Sequence, residues 1–336
     1  MKKERVAKKD LYLNSFNVAP GVWGLKDLFV NVYMIHNPVD NSWVLVDAGL
    51  KTSAPKIRRM AEHLFWPDTR PAAIVLTHAH FDHVGSLSML AEEWEITVYA
   101  HAMEKPYLTG LSSYPPPDPS VGGGLISAMA WMYPKGPIDV EKRFEVLPRD
   151  GSIPGLPEWK YIHTPGHAPG HISLYRQRDG VLLAGDAFVT TNQESALSVL
   201  LQRKKVSGPP KYFTYNWESA ARSVRTLADL NPEIVATGHG KPMQGEEMRR
   251  SLHNLADHFE DLAVPSHGRY VGDPALVNEE GVQYVPPAST YGVIFKIAGL
   301  TAVAVVGFLL TKNYAKKKSL LGFNYEQKFI SEPPAR

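Results

Sequence analysis

The chain has 336 residues, 44% of them hydrophobic, enough for one large core and a small appendage. Its 36 basic and 34 acidic residues leave a net charge of +2, so no overall field favours nucleic acid. There are no cysteines, which excludes disulfides, thiolate metal ligands and cysteine nucleophiles while leaving the compartment open. Lys2, Lys3, Arg5, Lys8 and Lys9 form a basic arm that reads as a solvated end, and no apolar stretch follows it to make a secretory signal. In chain order, strands are predicted over Leu11–Val18, Phe29–His36 and Trp43–Asp47, punctuated by Gly21, Gly24, Asn37 and Pro38. Lys51–Leu64 has helical spacing, with Ile57, Met60, Ala61 and Leu64 on one face. A short apolar run, Ala72–Leu76, leads into Thr77-His78; a helix is expected over Gly85–Trp94 and a strand over Ile96–Ala100.

Residues 110–138 break this rhythm with Pro115, Pro116, Pro117, Pro119, Pro134 and Pro137, three glycines (Gly122, Gly123 and Gly124) and many apolar side chains. Such a long Pro/Gly-punctuated insertion reads either as a lid over a substrate pocket or as a surface elaboration or dimer contact. Strands then resume at Lys160–His163, Ile172–Arg176, Val181–Ala184 and Ile234–Thr237, with helices at Glu218–Leu230 and Glu246–Leu262. Two strand-rich halves alternating with helices point to an α/β sandwich of sheets flanked by helices. The organisation expected is a catalytic domain over 1–262, a polar linker over 263–290, a hydrophobic helix over 291–311 and a basic polar tail over 312–336.

The segment 291–311 is apolar all round, with Lys296 its only charge. As a helix it would rise roughly 31 Å, the thickness of a bilayer's hydrocarbon core. Lys312, Lys316, Lys317 and Lys318 follow it, and the positive-inside bias puts them in the cytoplasm. The expectation is a C-terminal anchor with the catalytic domain on the cytoplasmic face; the alternative is a helix docked on the domain or a partner chain.

The chemistry is concentrated in Thr77-His78-Ala79-His80-Phe81-Asp82-His83-Val84-Gly85. Residues two apart at a strand end project to one side, so His78 and His80 can grip one metal, and the following turn can offer Asp82 and His83 to a neighbouring position. Imidazole and carboxylate suit zinc and other first-row metals. Three further signals join this one: His167 in the loop His163–His171, Gly185-Asp186 after one strand, and Gly238-His239-Gly240 after another. Each sets a ligand-type side chain just past a buried strand, beside glycine. His163 and His101 read as packed strand-end residues, His171 as a loop or orienting residue, and His253 and His258 as solvent-facing.

The His-x-His-x-Asp-His motif with its later partners resembles the metallo-β-lactamase superfamily over roughly residues 11–262. The resemblance implies an αββα sandwich with the site at one edge of the sheets. It implies that His78, His80 and His167 hold a first metal, that Asp82, His83 and His239 hold a second, and that Asp186 bridges them. Two zinc ions per chain are expected, iron, manganese or cobalt also fitting, and Asp47 matches a position beside the site that would orient a ligand. Two cations sharing a water lower its pKa toward neutrality and so supply hydroxide. Asp82 is the candidate to carry the proton to the leaving group.

Fold and metals leave the small-molecule substrate open. The resembling β-lactam hydrolases are exported, nuclease branches need a basic groove, and glyoxalase II-type thioesterases add a helical C-terminal domain of which this chain offers one helix and a linker. Lactonases with the same ligand pattern carry a tyrosine three residues after the bridging aspartate, where this chain has Val189; Tyr212 and Tyr215 are the candidates to replace it. Ester, lactone or thioester hydrolysis is therefore expected. Two other classes are a mononuclear-iron sulfur dioxygenase on the same motif and a non-catalytic membrane-tethered scaffold, which predicts lost ligands where all seven are intact. Deleting residues 291–336 is expected to move the protein from the membrane pellet to the supernatant on fractionation; an unchanged distribution would refute the anchor.

Overall fold

The computed structural model describes residues 14–201 and 203–288. The first half of the chain forms a seven-stranded sheet in the order β1 (Ser15–Ala19), β2 (Val22–Asp27), β3 (Val30–Asn37), β4 (Ser42–Val46), β5 (Ala73–Val75), β6 (Val98–Ala100) and β7 (Phe144–Val146). Strands β1 to β4 meander antiparallel, and β4 to β7 run parallel. The second sheet has five strands: β8 (Lys160–His163), β9 (Ile172–Arg176), β10 (Val181–Leu183), β11 (Ile234–Ala236) and β12 (Met243–Gln244), with β10 and β11 parallel. A hairpin of β13 (Leu276–Asn278) and β14 (Gly281–Tyr284) stands apart from both.

Period-two alternation along strands buried on both faces sorts the side chains into three layers. In β3, Tyr33 and Ile35 face the second sheet while Val32 and Met34 face the helices; in β4, Val44 and Val46 divide from Trp43 and Leu45 in the same way. The central layer joins these residues to Ile172, Leu174, Val181, Leu183 and Ala236. Outside the first sheet, the helices Ala54–Leu64 and Leu87–Trp94 bury Ile57, Met60, Leu87 and Leu90. Outside the second, Trp217–Asp229 and Gly245–Asp257 bury Val224, Leu227, Met248 and Leu252. This is the expected αββα sandwich.

Several local expectations are revised. Gly24 lies inside strand β2, paired with Phe16 and Tyr33, where it was read as punctuation. The helix expected over Glu246–Leu262 is two, breaking at His258 (φ −121°, ψ 35°) into Gly245–Asp257 and Phe259–Leu262. The stretch expected as a linker contains the β13–β14 hairpin and buries Tyr270 and Ala275 in the outer core of the second sheet. The segment 291–311 lies outside the described residues, among which no helix is long and apolar enough to cross a membrane.

Asn31, Tyr33 and Thr77 stitch the sheets together at one end. Asn31 Nδ2 donates to Thr237 and Gly240 carbonyls at 2.9 and 2.7 Å, the Tyr33 hydroxyl donates to Thr237 at 2.6 Å, and Ile172 N–H donates to Thr77 at 2.9 Å. Strands β4, β5, β10 and β11 all end here.

Trp43 anchors the helix-side core of the first sheet: it is fully buried, stacks on Phe65 at 4.9 Å and donates from Nε1 to Thr69 Oγ1 at 2.9 Å. Trp43→Ala is expected to cost about 3–5 kcal/mol, read as a lower urea midpoint at unchanged slope.

Candidate metal centre

Strand β5 ends at Val75, the chain bends at Thr77, and His80 (φ −65°, ψ 154°) begins the one-turn helix Phe81–Val84 as its N-cap. The segment just past the strand brings His78 and His80 into the site, and the helical turn brings in Asp82 and His83. His167 enters from the loop between β8 and β9, Asp186 from the end of β10 and His239 from the end of β11. All seven predicted ligands converge, and none is more than 5% exposed.

Their donor atoms form overlapping triads within 4.8 Å: His78, His80 and His167; His78, His83 and Asp186; Asp82, His83 and His239. His80 Nδ1 lies 3.0 Å from His167 Nε2. Asp186 Oδ2 lies 3.0 Å from His239 Nε2, 3.5 Å from His167 Nε2 and 3.7 Å from His83 Nε2, so one carboxylate oxygen sits among three imidazoles. Asp82 Oδ2 is 3.5 Å from His239 Nε2. Gly238 permits this density, because a Cβ there would stand 2.0 Å from Asp186 Oδ1.

Buried polar atoms are almost always paired. Here His78 Nε2, His83 Nε2 and Asp186 Oδ1 are buried without a hydrogen-bond partner among the described residues. Unpaired donors of this chemistry, converging within one coordination radius, fit a divalent metal.

The outer nitrogens of the ring residues show how they are oriented. Asp47, in the left-handed region (φ 62°), accepts from Thr77 N–H at 2.7 Å through Oδ1. Its Oδ2 accepts from Thr77 Oγ1 at 2.8 Å and from His83 Nδ1 at 2.8 Å. Since the Thr77 hydroxyl donates to Asp47, it receives its 3.1 Å contact from His78 Nδ1. One carboxylate thereby fixes two imidazoles with Nε2 turned inward. His239 Nδ1 donates to the Phe29 carbonyl at 2.7 Å, with the same result. His171 is the orienting residue expected: its Nε2 accepts from Asp186 N–H at 2.8 Å and its Nδ1 donates to Thr164 Oγ1 at 2.8 Å.

Burial, reinforced by neighbouring histidines, holds His78 and His80 well below the ordinary imidazole range, and burial takes His167 down to about 4, so all three present free lone pairs. Burial also acts to lower His83, but Asp47 and Asp186 overcome it and raise the ring well above its usual value. Burial raises Asp82, with His83 and His239 opposing.

An aromatic wall covers the cluster. Phe213 stacks on His80 at 4.4 Å and Tyr133 on Phe81 at 5.2 Å, with Tyr212, Val121 and Ile126 packed behind. The insertion 110–138 thus lies against the site. The 264–271 stretch backs it: Tyr270 OH donates to Pro116 at 2.5 Å and Arg269 N–H to Asp118 at 2.5 Å. His101 and His163 stack on each other at 3.9 Å, packed as expected. Glu104, Thr164 and Gln193 escaped sequence reasoning; all are buried, and Gln193 lies 3.2 Å from His239 Nδ1.

The sandwich and its buried His/Asp cluster at the strand ends define a class, and the chain belongs to it: the metallo-β-lactamase superfamily, whose family model matches residues 25–239. Within that superfamily it is a hydrolase. The chain is 44% identical over 248 residues to the probable metallo-hydrolase YflN of Bacillus subtilis (strain 168), covering 74% of this chain and 94% of that one. It is 26% identical over 214 residues to the hydroxyacylglutathione hydrolase of Nitrosomonas eutropha, covering 61% and 68%. The crystal structure of a beta-lactamase domain protein from Burkholderia ambifaria shares the fold with a TM-score of 0.51 at 22% identity, covering 73% of each chain.

Because Asp47 orients His78 directly through Thr77 and His83 by its own oxygen, Asp47→Ala is expected to weaken metal uptake by about 10–100-fold in a chelator competition. Wild-type affinity would show that the rings hold their orientation without it.

Proposed function

We propose that the protein hydrolyses an ester, lactone or thioester with the help of two divalent metal ions, zinc first among those that fit. The observation that carries this is the set of buried, unpartnered donors of His78, His83 and Asp186. His78, His80 and His167 would hold one cation, Asp82, His83 and His239 the other, with Asp186 between them. When bound, such a pair supplies a water of lowered pKa and a Lewis acid for the scissile oxygen.

The rest falls to side chains. Asp82 has its affinity for a proton raised by burial, which suits a group that takes a proton and returns it to the leaving atom. Tyr212 is buried with Asp82 and Asp186 among the charges that, after burial, hold its hydroxyl protonated; it is the candidate donor to a developing oxyanion. The Tyr215 hydroxyl is held protonated by burial and then by Glu104, and the Tyr215 backbone N–H donates to the Gly166 carbonyl at 3.1 Å. Phe81, Tyr133 and Phe213 suit an apolar acyl group, with the 110–138 insertion as a lid that excludes water. The relative named hydroxyacylglutathione hydrolase favours a thioester among the three. The segment 291–311 is assigned as an anchor holding this domain at the cytoplasmic face of a membrane.

The test is elemental analysis of purified protein beside a His167→Ala variant, with a panel of lactone, thioester, β-lactam and phosphodiester substrates. Near two zinc per chain is expected, with lactone or thioester turnover falling at least about 100-fold in the variant. One iron per chain without hydrolysis would move the protein to the sulfur dioxygenase class.

A further inference from the structure

Four of the five candidate histidines come from two separate segments, 77–83 and 164–171, and something must fix the distance between these segments. Glu104 lies between them, fully buried at the end of the short helical turn Ala102–Glu104. Its Oε2 accepts from Ala79 N–H at 2.9 Å, the amide between His78 and His80. Its Oε1 accepts from Gly170 N–H at 2.7 Å, three residues past His167. The third donor is the Tyr114 hydroxyl, on Oε2.

Two observations show that this is a built contact. A Cβ at Gly170 would stand 2.7 Å from Glu104 Cγ and 2.8 Å from its backbone nitrogen, so glycine is what lets the loop approach the carboxylate. Tyr114 also packs its ring on His80 at 4.4 Å and is itself stacked on Tyr107 at 4.0 Å, so phenol and imidazole are placed together.

Burying a carboxylate among neutral donors is costly, and a filler at this position would serve better apolar. A carboxylate alone offers acceptors on both ends at once. A glutamine has one carbonyl oxygen, and its NH2 would confront either Gly170 N–H or the pair formed by Ala79 N–H and Tyr114 OH.

We infer that Glu104 is the positioning residue that sets the spacing between the His78–His80 pair and the His167 loop, with Tyr114 as its partner from the insertion. The inference rests on the metal-centre reading above and adds a residue that touches neither the metals nor the substrate. It also ties the insertion to the ligand set, since Tyr114 belongs to the insertion and packs on His80.

The test uses full-length protein stripped with chelator and titrated with cobalt(II), reading affinity by chelator competition and ligand geometry by the visible spectrum, beside the melting temperature of the metal-free protein. Glu104→Gln is expected to bind cobalt about 10–100-fold more weakly with an altered spectrum, and Tyr114→Phe to shift both in the same direction by less. Wild-type affinity and spectrum in Glu104→Gln, even with a lower melting temperature, would make the residue merely structural and overturn the inference. Should Glu104→Gln not fold, Tyr114→Phe decides on the same two readings. A wild-type chain that takes up no cobalt would sink the metal-centre reading itself, a result distinct from wild-type binding that the variants leave unchanged.

Discussion

A buried carboxylate on a left-handed turn organises this molecule. Asp47 ends β4 at the point where the sheets are stitched, and the φ of 62° turns its side chain back across the tip of β5. There it accepts two hydrogen bonds from Thr77 and one from His83. Aspartate tolerates that backbone region better than most residues. Its charge is met by directed donors, which is the condition for keeping an acidic group in a layer otherwise made of valine, isoleucine and leucine. The ring tautomers and the inward aim of Nε2 on His78 and His83 follow from this one group.

Around it the protein concentrates unfavourable terms. Imidazoles stand close together, and an aspartate oxygen sits among three of them. Nothing in hydrophobic burial favours this arrangement. Three of the rings are held from behind, His83 by Asp47, His78 by Thr77 and His239 by the Phe29 carbonyl, while the Asp186 backbone N–H is held by His171. The two sheets give these outer partners a rigid base, and the helices on either side cover the sheets with apolar surface.

The candidate ligand set was legible in the sequence because its residues lie just past strand ends, beside glycine, in short patterns. The αββα sandwich was legible from two strand-rich halves alternating with helices. What escaped notice is instructive. Glu104 acts through backbone amides of Ala79 and Gly170, and an amide leaves no trace in the identity of its residue. Strand β2 was hidden by Gly24, and the β13–β14 hairpin by its polar composition, since Asn278, Glu279 and Glu280 look like any loop. Tyr212 could be suspected from the sequence, but which charges act on it and which on Tyr215 depends on long-range packing: after burial, Asp82 acts most on one and Glu104 on the other.

The hydrogen bonds from Tyr270 to Pro116 and from Arg269 to Asp118 join a segment well beyond the last ligand to the insertion that walls the site. The candidate metal ligands and the brace behind the aromatic wall consequently lie in different stretches of the chain. Sequence drift in 264–271 can reshape the wall without altering any of the seven candidate ligands. A chain shortened to residue 262 would retain the full ligand set yet lose the brace behind its aromatic cover.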